Sequence, residues 1–282
     1  ICVCTRKRPD GILTLLKSFE SLHIPQHVTI ETIVVENDTE AYTEKLIKDF
    51  SSKSNLSINY FLETKQGISN ARNRAVIESK GVDYCCFVDD DQSVSHDWLI
   101  ELFKCRDEFD ADGVWGPNPP VYETKVKKYV KQFHAHEEYE YGTKVTQAYT
   151  NCLLLKKAWL DKFDGPFDLR LNYTGGEDCF LTALIIKSGG VIRYTPFAKA
   201  YEIVPATRTT IRYILKRIFR TANTKLLVQS LLDSNFSKYS VLPRLIMRFG
   251  LGLLITIPCF FSEKNRLKGL LKISDSSGGF MS

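Results

Sequence analysis

Tyr84-Cys85-Cys86-Phe87-Val88-Asp89-Asp90-Asp91 is the stretch on which the fold turns. A short apolar run of this length suits a strand buried on both faces better than a helix, and it breaks off in three consecutive carboxylates. The same unit recurs upstream. Ile1–Thr5 reads as a buried strand, Glu31–Glu36 as a second that runs into Asn37-Asp38, and Ser57–Glu63 as a third. Between them lie helical patterns: Asp10–Leu22, with apolar residues at Ile12, Leu15, Leu16, Phe19 and Leu22; Ala41–Phe50; and Ser69–Ser79, entered through Gly67. Strands alternating with helices predict an α/β fold, a mostly parallel sheet flanked by helices. Such sheets bind ligands beyond the carboxyl ends of their strands, so the polar residues that follow the strands are expected to converge.

Downstream, Trp98–Cys105 continues the helical pattern, and residues 113–142 are irregular, with three prolines. Thr150–Lys156 predicts a further strand and Phe180–Lys187 a buried helix. Arg208–Ala222 predicts a basic amphipathic helix: Arg208, Arg212, Lys216 and Arg220 recur every four positions, and Ile211, Ile214, Leu215, Ile218 and Phe219 cover much of the rest. Leu242–Phe261 is the most apolar stretch, but its uninterrupted part, Phe249–Phe261, is short of the roughly 20 residues that span a bilayer. An interfacial or half-buried segment is expected there. The expected organisation is a sheet domain over residues 1–200 and a helical, basic, membrane-associating segment over residues 201–282.

Hydrophobic residues at 44% and charged residues at 25% exclude disordered and collagen-like classes, and 282 residues suffice for one large domain with an appendage. The sequence opens on Ile1 inside a strand-like run, so the natural start is expected upstream. Of the eight cysteines, Cys2 and Cys4 alternate on one strand, Cys85 and Cys86 are adjacent, and Cys105, Cys152, Cys179 and Cys259 are scattered without a CxxC pair. That usage predicts reduced, packed thiols and a cytoplasmic protein. Residues 1–190 carry 23 Lys and Arg against 29 Asp and Glu, whereas residues 191–282 carry 15 against 4. The basic tail is expected to face phosphate or an anionic membrane. A nucleic-acid role is excluded: the front is acidic and the tail lacks interleaved aromatics.

Two motifs carry chemistry. Asp89-Asp90-Asp91 at a strand end would repel one another unless a cation or donors compensated them, and hard divalent ions take carboxylate and phosphate oxygens together. A solvated acidic turn has the same composition. Gly175-Gly176-Glu177-Asp178 precedes an apolar helix. Acidic residues there also serve as ordinary helix caps, while paired glycines allow close approach by a ligand. His134-Ala135-His136-Glu137-Glu138 lacks a third His or a Cys for a zinc site and suits an acceptor-side loop better. Trp98 and Trp115 read as core residues, Trp115 with the option of lining a pocket beside Gly116-Pro117.

In order along the chain, VCTRKRP (3–9), VVEND (34–38), GISNARNRA (67–75), FVDDDQ (87–92), Trp98-Leu99, WGPNP (115–119), TNCLLLKK (150–157) and GGEDCFL (175–181) resemble the family 2 glycosyltransferases of the GT-A fold, over about residues 1–225. The resemblance implies a GT-A (Rossmann-like) domain and inverting transfer of a sugar from a nucleotide-diphosphate sugar, a UDP-sugar favoured, to an acceptor hydroxyl. It implies that Thr5 and Arg8 lie in the first nucleotide-contacting loop and that Glu36 and Asp38 meet the base and ribose, although the family often has Asp where Glu36 stands. Arg72 would face the nucleotide, beside a helix N-terminus that favours the diphosphate; Arg74 reads as a solvated helix face. Asp89 would contact donor ribose or sugar, Asp91 would ligate Mn2+ or Mg2+, Asp90 would share either role, and Asp178 would be the catalytic base with Glu177 as the second candidate.

YEIVPATRTTIRYILKRIFRTANT (201–224) resembles a basic segment found behind such catalytic domains. This implies that Arg208, Arg217 and Arg220 supplement the metal at the diphosphate or hold an anionic acceptor; a basic helix resting on lipid has the same pattern. The family often has a His where this sequence has Tyr201-Glu202, which removes a His ligand from the expected metal set. The expected acceptor is a glycan or lipid-linked glycan of cell-envelope or surface polysaccharide synthesis, met at the cytoplasmic face of the inner membrane. Two other readings remain: a sugar nucleotidyltransferase, for which Cys4–Gly11 holds too few glycines, and a non-catalytic carbohydrate-binding module, against which intact Asp89, Asp91 and Asp178 argue.

Overall fold

The structure is a computed structural model that describes residues 1–135, 138–233, 235–236, 246–247 and 270–275. The chain divides into two compact units, Ile1–Tyr122 with His134–Ile203, and Glu123–Phe133 with the described part of Val204–Ser282. In chain order the elements are β1 (Cys2–Thr5), α1 (Pro9–Phe19), β2 (Thr32–Glu36), α2 (Glu44–Ser51), β3 (Ile58–Leu62), α3 (Ile68–Glu78), β4 (Tyr84–Asp89), β5 (Gln92–Val94), α4 (Trp98–Phe109), β6 (Gly113–Trp115), β7 (Pro120–Tyr122), α5 (Lys128–Phe133), β8 (Cys152–Lys156), α6 (Lys157–Leu160), α7 (Glu177–Lys187), β9 (Ile192–Tyr194), β10 (Ala200–Val204) and α8 (Ile211–Leu232).

In the first unit, the main sheet has the order β3-β2-β1-β4-β8-β6-β9, and a small sheet has the order β5-β10-β7. Strands β1 to β4 pair in parallel; β8 runs antiparallel to both of its neighbours, β4 and β6. The α/β architecture with a mainly parallel sheet is therefore the expected one, with β8 as the antiparallel insertion. Strands β1, β2, β4 and β8 are covered on both faces, which explains why they read as unbroken apolar runs. Cys2, Ile33, Val35, Cys85 and Phe87 point to one core with Ala71 and Ala75 of α3 and Leu181 and Ile185 of α7. Their alternating neighbours Val3, Val34, Cys86 and Val88 point to the other, with Ile12, Leu15 and Leu16 of α1 and Leu99 and Leu102 of α4. Trp98 stacks on Phe19 and donates its indole N–H to Cys152 Sγ at 3.1 Å, a core residue as expected. Cys2, Cys4, Cys85, Cys86, Cys105, Cys152 and Cys179 are free thiols.

The register fixes where polar residues emerge. Thr5 lies beside Glu36 and Cys4 beside Asp89, so the carboxyl ends of β1, β2 and β4 form one edge. The backbone N–H of Ile203, in β10, donates to the Asp91 carbonyl at 2.9 Å and holds the acidic turn from its far side.

In the second unit, Thr210 caps α8 by accepting from the Tyr213 N–H. The helix starts three residues later than the basic pattern, because Arg208 falls in a 3-10 turn over Ala206–Thr209, and it continues to Leu232. Arg212, Lys216 and Arg220 form an exposed stripe, whereas Arg208 and Arg217 are half-buried. Arg217 donates to the Tyr213 hydroxyl at 3.1 Å. Among the described residues no helix is long and apolar enough to cross a membrane. Apart from Ile246 and Met247, Leu242–Phe261 lies outside the described residues.

Candidate active site

The turn after β4 is held by the loop after β1. Thr5 Oγ1 donates to Asp90 Oδ2 at 2.8 Å, and Arg8 Nη1 reaches both Asp90 Oδ1 at 2.7 Å and Asp91 Oδ2 at 3.1 Å. Asp90 is nearly buried, and its charge is met by Arg8 and Thr5. Gln92 Oε1 accepts from the Asp89 N–H at 2.9 Å and fixes the turn from inside.

Glu36 and Asp38, at the end of β2, are buried and internally engaged. Glu36 Oε2 accepts from the Thr43 N–H and hydroxyl, each at 2.9 Å, and from the Tyr60 hydroxyl at 2.7 Å. Asp38 accepts from the Thr39 N–H and ties down Arg6 and Lys7, which holds its carboxyl below its ordinary range. Asp38 therefore shapes the loop after β1, and Glu36 the segment that leads into α2.

Arg72 joins the two acidic stretches. Its guanidinium donates through Nη1 to Glu177 and through Nη2 to Asp89 Oδ1 at 3.3 Å, and its side chain is 10% exposed. Residues 89 and 177 therefore lie within the span of one guanidinium at the carboxyl end of the sheet. Arg72 is committed to that bridge. Arg74, on the same helix, pairs with Glu78 one turn away, as a surface helix face does.

The N-terminus of α3 is also committed. Its N-cap, Gly67, has no side chain, and Asn172 reaches in from the loop before α7. Asn172 Oδ1 accepts from the N–H groups of Ser69 at 3.0 Å and Asn70 at 3.3 Å, while its Nδ2 donates to the Gln66 carbonyl. A Cβ at residue 67 would collide with that amide at 2.1 Å, and the backbone there sits at φ 123°, so only glycine admits the cap. The expected diphosphate seat at this terminus is thus filled by the protein itself.

Asp178 stands in the first turn of α7, after Gly175 and Gly176 at φ 81° and 89°. Its Oδ1 accepts from the Cys179 N–H at 2.7 Å, and its Oδ2 accepts from the N–H and hydroxyl of Thr150, each at 3.4 Å. It thus caps its own helix and is aimed by Thr150, yet it stays half-exposed while Glu177 is buried. Nearby, Trp115 packs against Tyr149, Tyr139 and Tyr194.

Burial raises the Glu177 carboxyl to about 7 and Asp89 to about 6; neighbouring carboxylates add to the rise, and Arg72 opposes it. Burial likewise raises Asp90, with Arg8 and Thr5 opposing. Burial works to lower Arg8 and Arg72, but the surrounding carboxylates outweigh it and keep both arginines charged. A carboxyl whose folded pKa is raised stabilises the fold most below its unfolded value of about 4.3, and that contribution is lost as pH rises through the folded value. Glu177→Gln, which mimics the protonated form, should therefore improve in melting temperature relative to wild type as pH rises from about 5 to about 8. A difference constant with pH would contradict a buried, raised carboxyl.

The donor set suits a hard divalent ion. Five carboxylates, at 89, 90, 91, 177 and 178, face two arginines, 8 and 72, so negative charge is left over. Among the described residues no group of three or more His, Cys, Asp or Glu forms a cage. Mg2+ and similar ions need none, being held by one or two carboxylates together with substrate phosphates and water. Asp91 and Asp89, 21% and 43% exposed at their side chains, are the carboxylates of the turn open to such an ion, and each is shared with one arginine. His134 packs edge-on against Tyr122 in the core, and His136 and Glu137 lie outside the described residues. Arg208, Arg217 and Arg220 belong to the second unit.

A cavity of about 790 Å³ opens at the opposite end of the sheet, lined by Ile1, Cys2, Ile33, Ser79, Tyr84 and Cys85 among others. It lies at the amino ends of β1, β2 and β4, away from the convergent carboxylates.

A family model described as Glycosyl transferase family 2 matches residues 1–162. Over 226 residues the chain is 30% identical to the succinoglycan biosynthesis protein ExoM of Rhizobium meliloti (strain 1021), an alignment covering 79% of this chain and 72% of that protein. Among solved structures, the mannosyltransferase PcManGT from Pyrobaculum calidifontis, in complex with GDP-Man and Mn2+, matches with a TM-score of 0.64 at 14% identity, covering 99% of this chain and 73% of the other. TarS of S. aureus matches with a TM-score of 0.57 at 17% identity over 94% of this chain, which spans 44% of that longer chain. These structural likenesses establish a shared fold.

Proposed function

The chain belongs to glycosyl transferase family 2, and we propose that the two acidic turns joined by Arg72 form the site where it transfers a sugar from a nucleoside-diphosphate donor to an acceptor hydroxyl. It is a glycosyltransferase of the GT-A fold. The succinoglycan relative supports a role in polysaccharide synthesis, and the GDP-Man complex of a protein of the same fold supports a nucleotide-sugar donor. The observation that carries the reading is the Arg72 bridge, because it puts a donor-side carboxylate and the turn bearing Asp178 at one place.

In this reading Asp178 takes the proton of the attacking acceptor hydroxyl, held in position by Thr150 and the Cys179 N–H. With no second carboxylate serving as nucleophile, transfer is a single displacement that inverts the sugar carbon. Asp91 and Asp89 would hold Mn2+ or Mg2+, which when bound neutralises charge on the departing diphosphate. Arg8 and Thr5 keep the acidic turn in register with the nucleotide loop. Asp38 acts by fixing that loop through Arg6 and Lys7, and Glu36 by holding Thr43 at the start of α2. The exposed stripe Arg212, Lys216 and Arg220 supports a peripheral seat on anionic lipid at the cytoplasmic face, where a lipid-linked glycan acceptor would be met. Binding to anionic vesicles should be strong at low salt and reversed by salt; equal binding to neutral vesicles would contradict the electrostatic part.

The function is tested with a panel of UDP- and GDP-sugars in Mn2+, with the released nucleoside diphosphate as the readout. At least one donor should be turned over, and turnover should rise when a glycan acceptor is added. Failure of every donor, with nucleotides still bound, would favour a non-catalytic carbohydrate-binding domain.

A further inference from the structure

Arg8 is placed as a cation where a second cation is wanted. Its Nη1 is shared between Asp90 Oδ1 at 2.7 Å and Asp91 Oδ2 at 3.1 Å. The two contacts differ in kind. Asp90 is 7% exposed at its side chain, and its other oxygen is filled by Thr5, so it is a fixed anchor. Asp91 is 21% exposed at its side chain, on the open side of the turn. Arg8 is itself 44% exposed at its side chain, and both of these contacts use Nη1, so an anion can reach this side chain from solvent.

We infer that Arg8 couples divalent-ion binding to nucleotide binding by covering Asp91 until a diphosphate draws its guanidinium away. The inference rests on Asp91 being the ion's ligand and on the diphosphate binding at this end of the sheet. A guanidinium and a divalent ion compete for the same carboxylate oxygen, because like charges at contact distance repel. The ion alone therefore binds weakly. A diphosphate offers Arg8 charge-assisted, two-pronged hydrogen bonds while Asp90 keeps the arginine tethered, and Asp91 Oδ2 is released to the ion. By linkage, the nucleotide tightens ion binding by the same factor as the ion tightens nucleotide binding. Thr5, which aligns Asp90, is a positioning residue for this exchange.

The test is the affinity for Mn2+ alone, followed by the signal of free Mn2+ in electron paramagnetic resonance, and the same titration with saturating UDP or GDP. Arg8→Gln should bind Mn2+ alone about tenfold more tightly than wild type, and the enhancement by nucleotide should shrink by a similar factor. Arg8→Lys, which keeps the cation, should stay near wild type for Mn2+ alone. Damage to the site by the substitution would act in the opposite sense, weakening Mn2+ in every condition. Arg8→Gln binding Mn2+ alone no more tightly than wild type, or keeping the full nucleotide enhancement, would overturn the inference. Asp91→Ala should lose Mn2+ binding with and without nucleotide; if it does not, the ion's assignment fails and the inference with it. Loss in Asp91→Ala with no change in Arg8→Gln refutes the role of Arg8 alone.

Discussion

Asp178→Asn should lower the rate of sugar transfer by about 10²–10⁴-fold and leave donor binding within a factor of about two. Asn has the same shape, so its side-chain oxygen can still accept the Cys179 N–H, and the first turn of α7 should remain capped. What disappears is the basic oxygen that Thr150 now orients. The donor-side groups Arg8, Asp89 and Asp90 are held by one another and by Thr5, Gln92 and Arg72. Transfer kinetics at saturating acceptor, set beside nucleotide binding by calorimetry, separate the two effects. A variant that transfers at a rate within about threefold of wild type would remove Asp178 from the base role and pass it to Glu177.

The second large effect is on stability. Arg72→Met should destabilise the protein by about 3 kcal/mol, because it leaves Glu177 buried without its cation and strips Asp89 of its partner. For a chain of this size that corresponds to a fall in melting temperature of roughly 6–12 °C. The loss should depend on pH with a definite sign. Without Arg72, the opposition to burial disappears, and the carboxyls of Glu177 and Asp89 rise further above their present values of about 7 and about 6. At pH near 5 both take up protons and little is lost; as pH rises through about 7 and beyond, the cost grows. Calorimetric melting at several pH values checks this. An unchanged melting temperature at pH about 8 would mean that the bridge contributes nothing to the fold.

Much of this architecture was legible in sequence. The strands β1, β2 and β4 are buried on both faces and read as continuous apolar runs, and the carboxylates that end them could be placed at the sheet edge from that alone. Elements of three residues are not legible: β5, β6, β7 and β9 are too short for any periodicity to register, so the sequence of β6 reads as irregular although the strand pairs on both sides. Nothing in the apolar run of β8 signals its direction, because strand polarity depends on the connection that precedes it.

The site divides in the same way. Asp89, Asp91 and Asp178 stood out as carboxylates in unusual settings, whereas Asn172, Thr150 and Gln92 did not. Each of these three is an ordinary polar residue whose importance comes from a partner far away in sequence; Asn172 acts on α3 from 103 residues downstream. Gly67 was the available clue: a glycine at a helix start supplies no capping oxygen, so another residue had to. Arg72 shows the limit from the other side. Its type and position mark it in the sequence, but its two partners come from separate segments, and only the packing of α3 against the turns at the end of β4 and the start of α7 brings them together.

The most direct test of the whole account is a crystal structure of the protein with Mn2+ and a nucleotide sugar that it turns over. The account predicts an anomalous Mn2+ peak against Asp91, the diphosphate beside Arg8, and the sugar carbon facing Asp178 across the Arg72 bridge. A nucleotide bound instead at the amino ends of the strands, in the cavity lined by Ile1, Ser79 and Cys85, would contradict it.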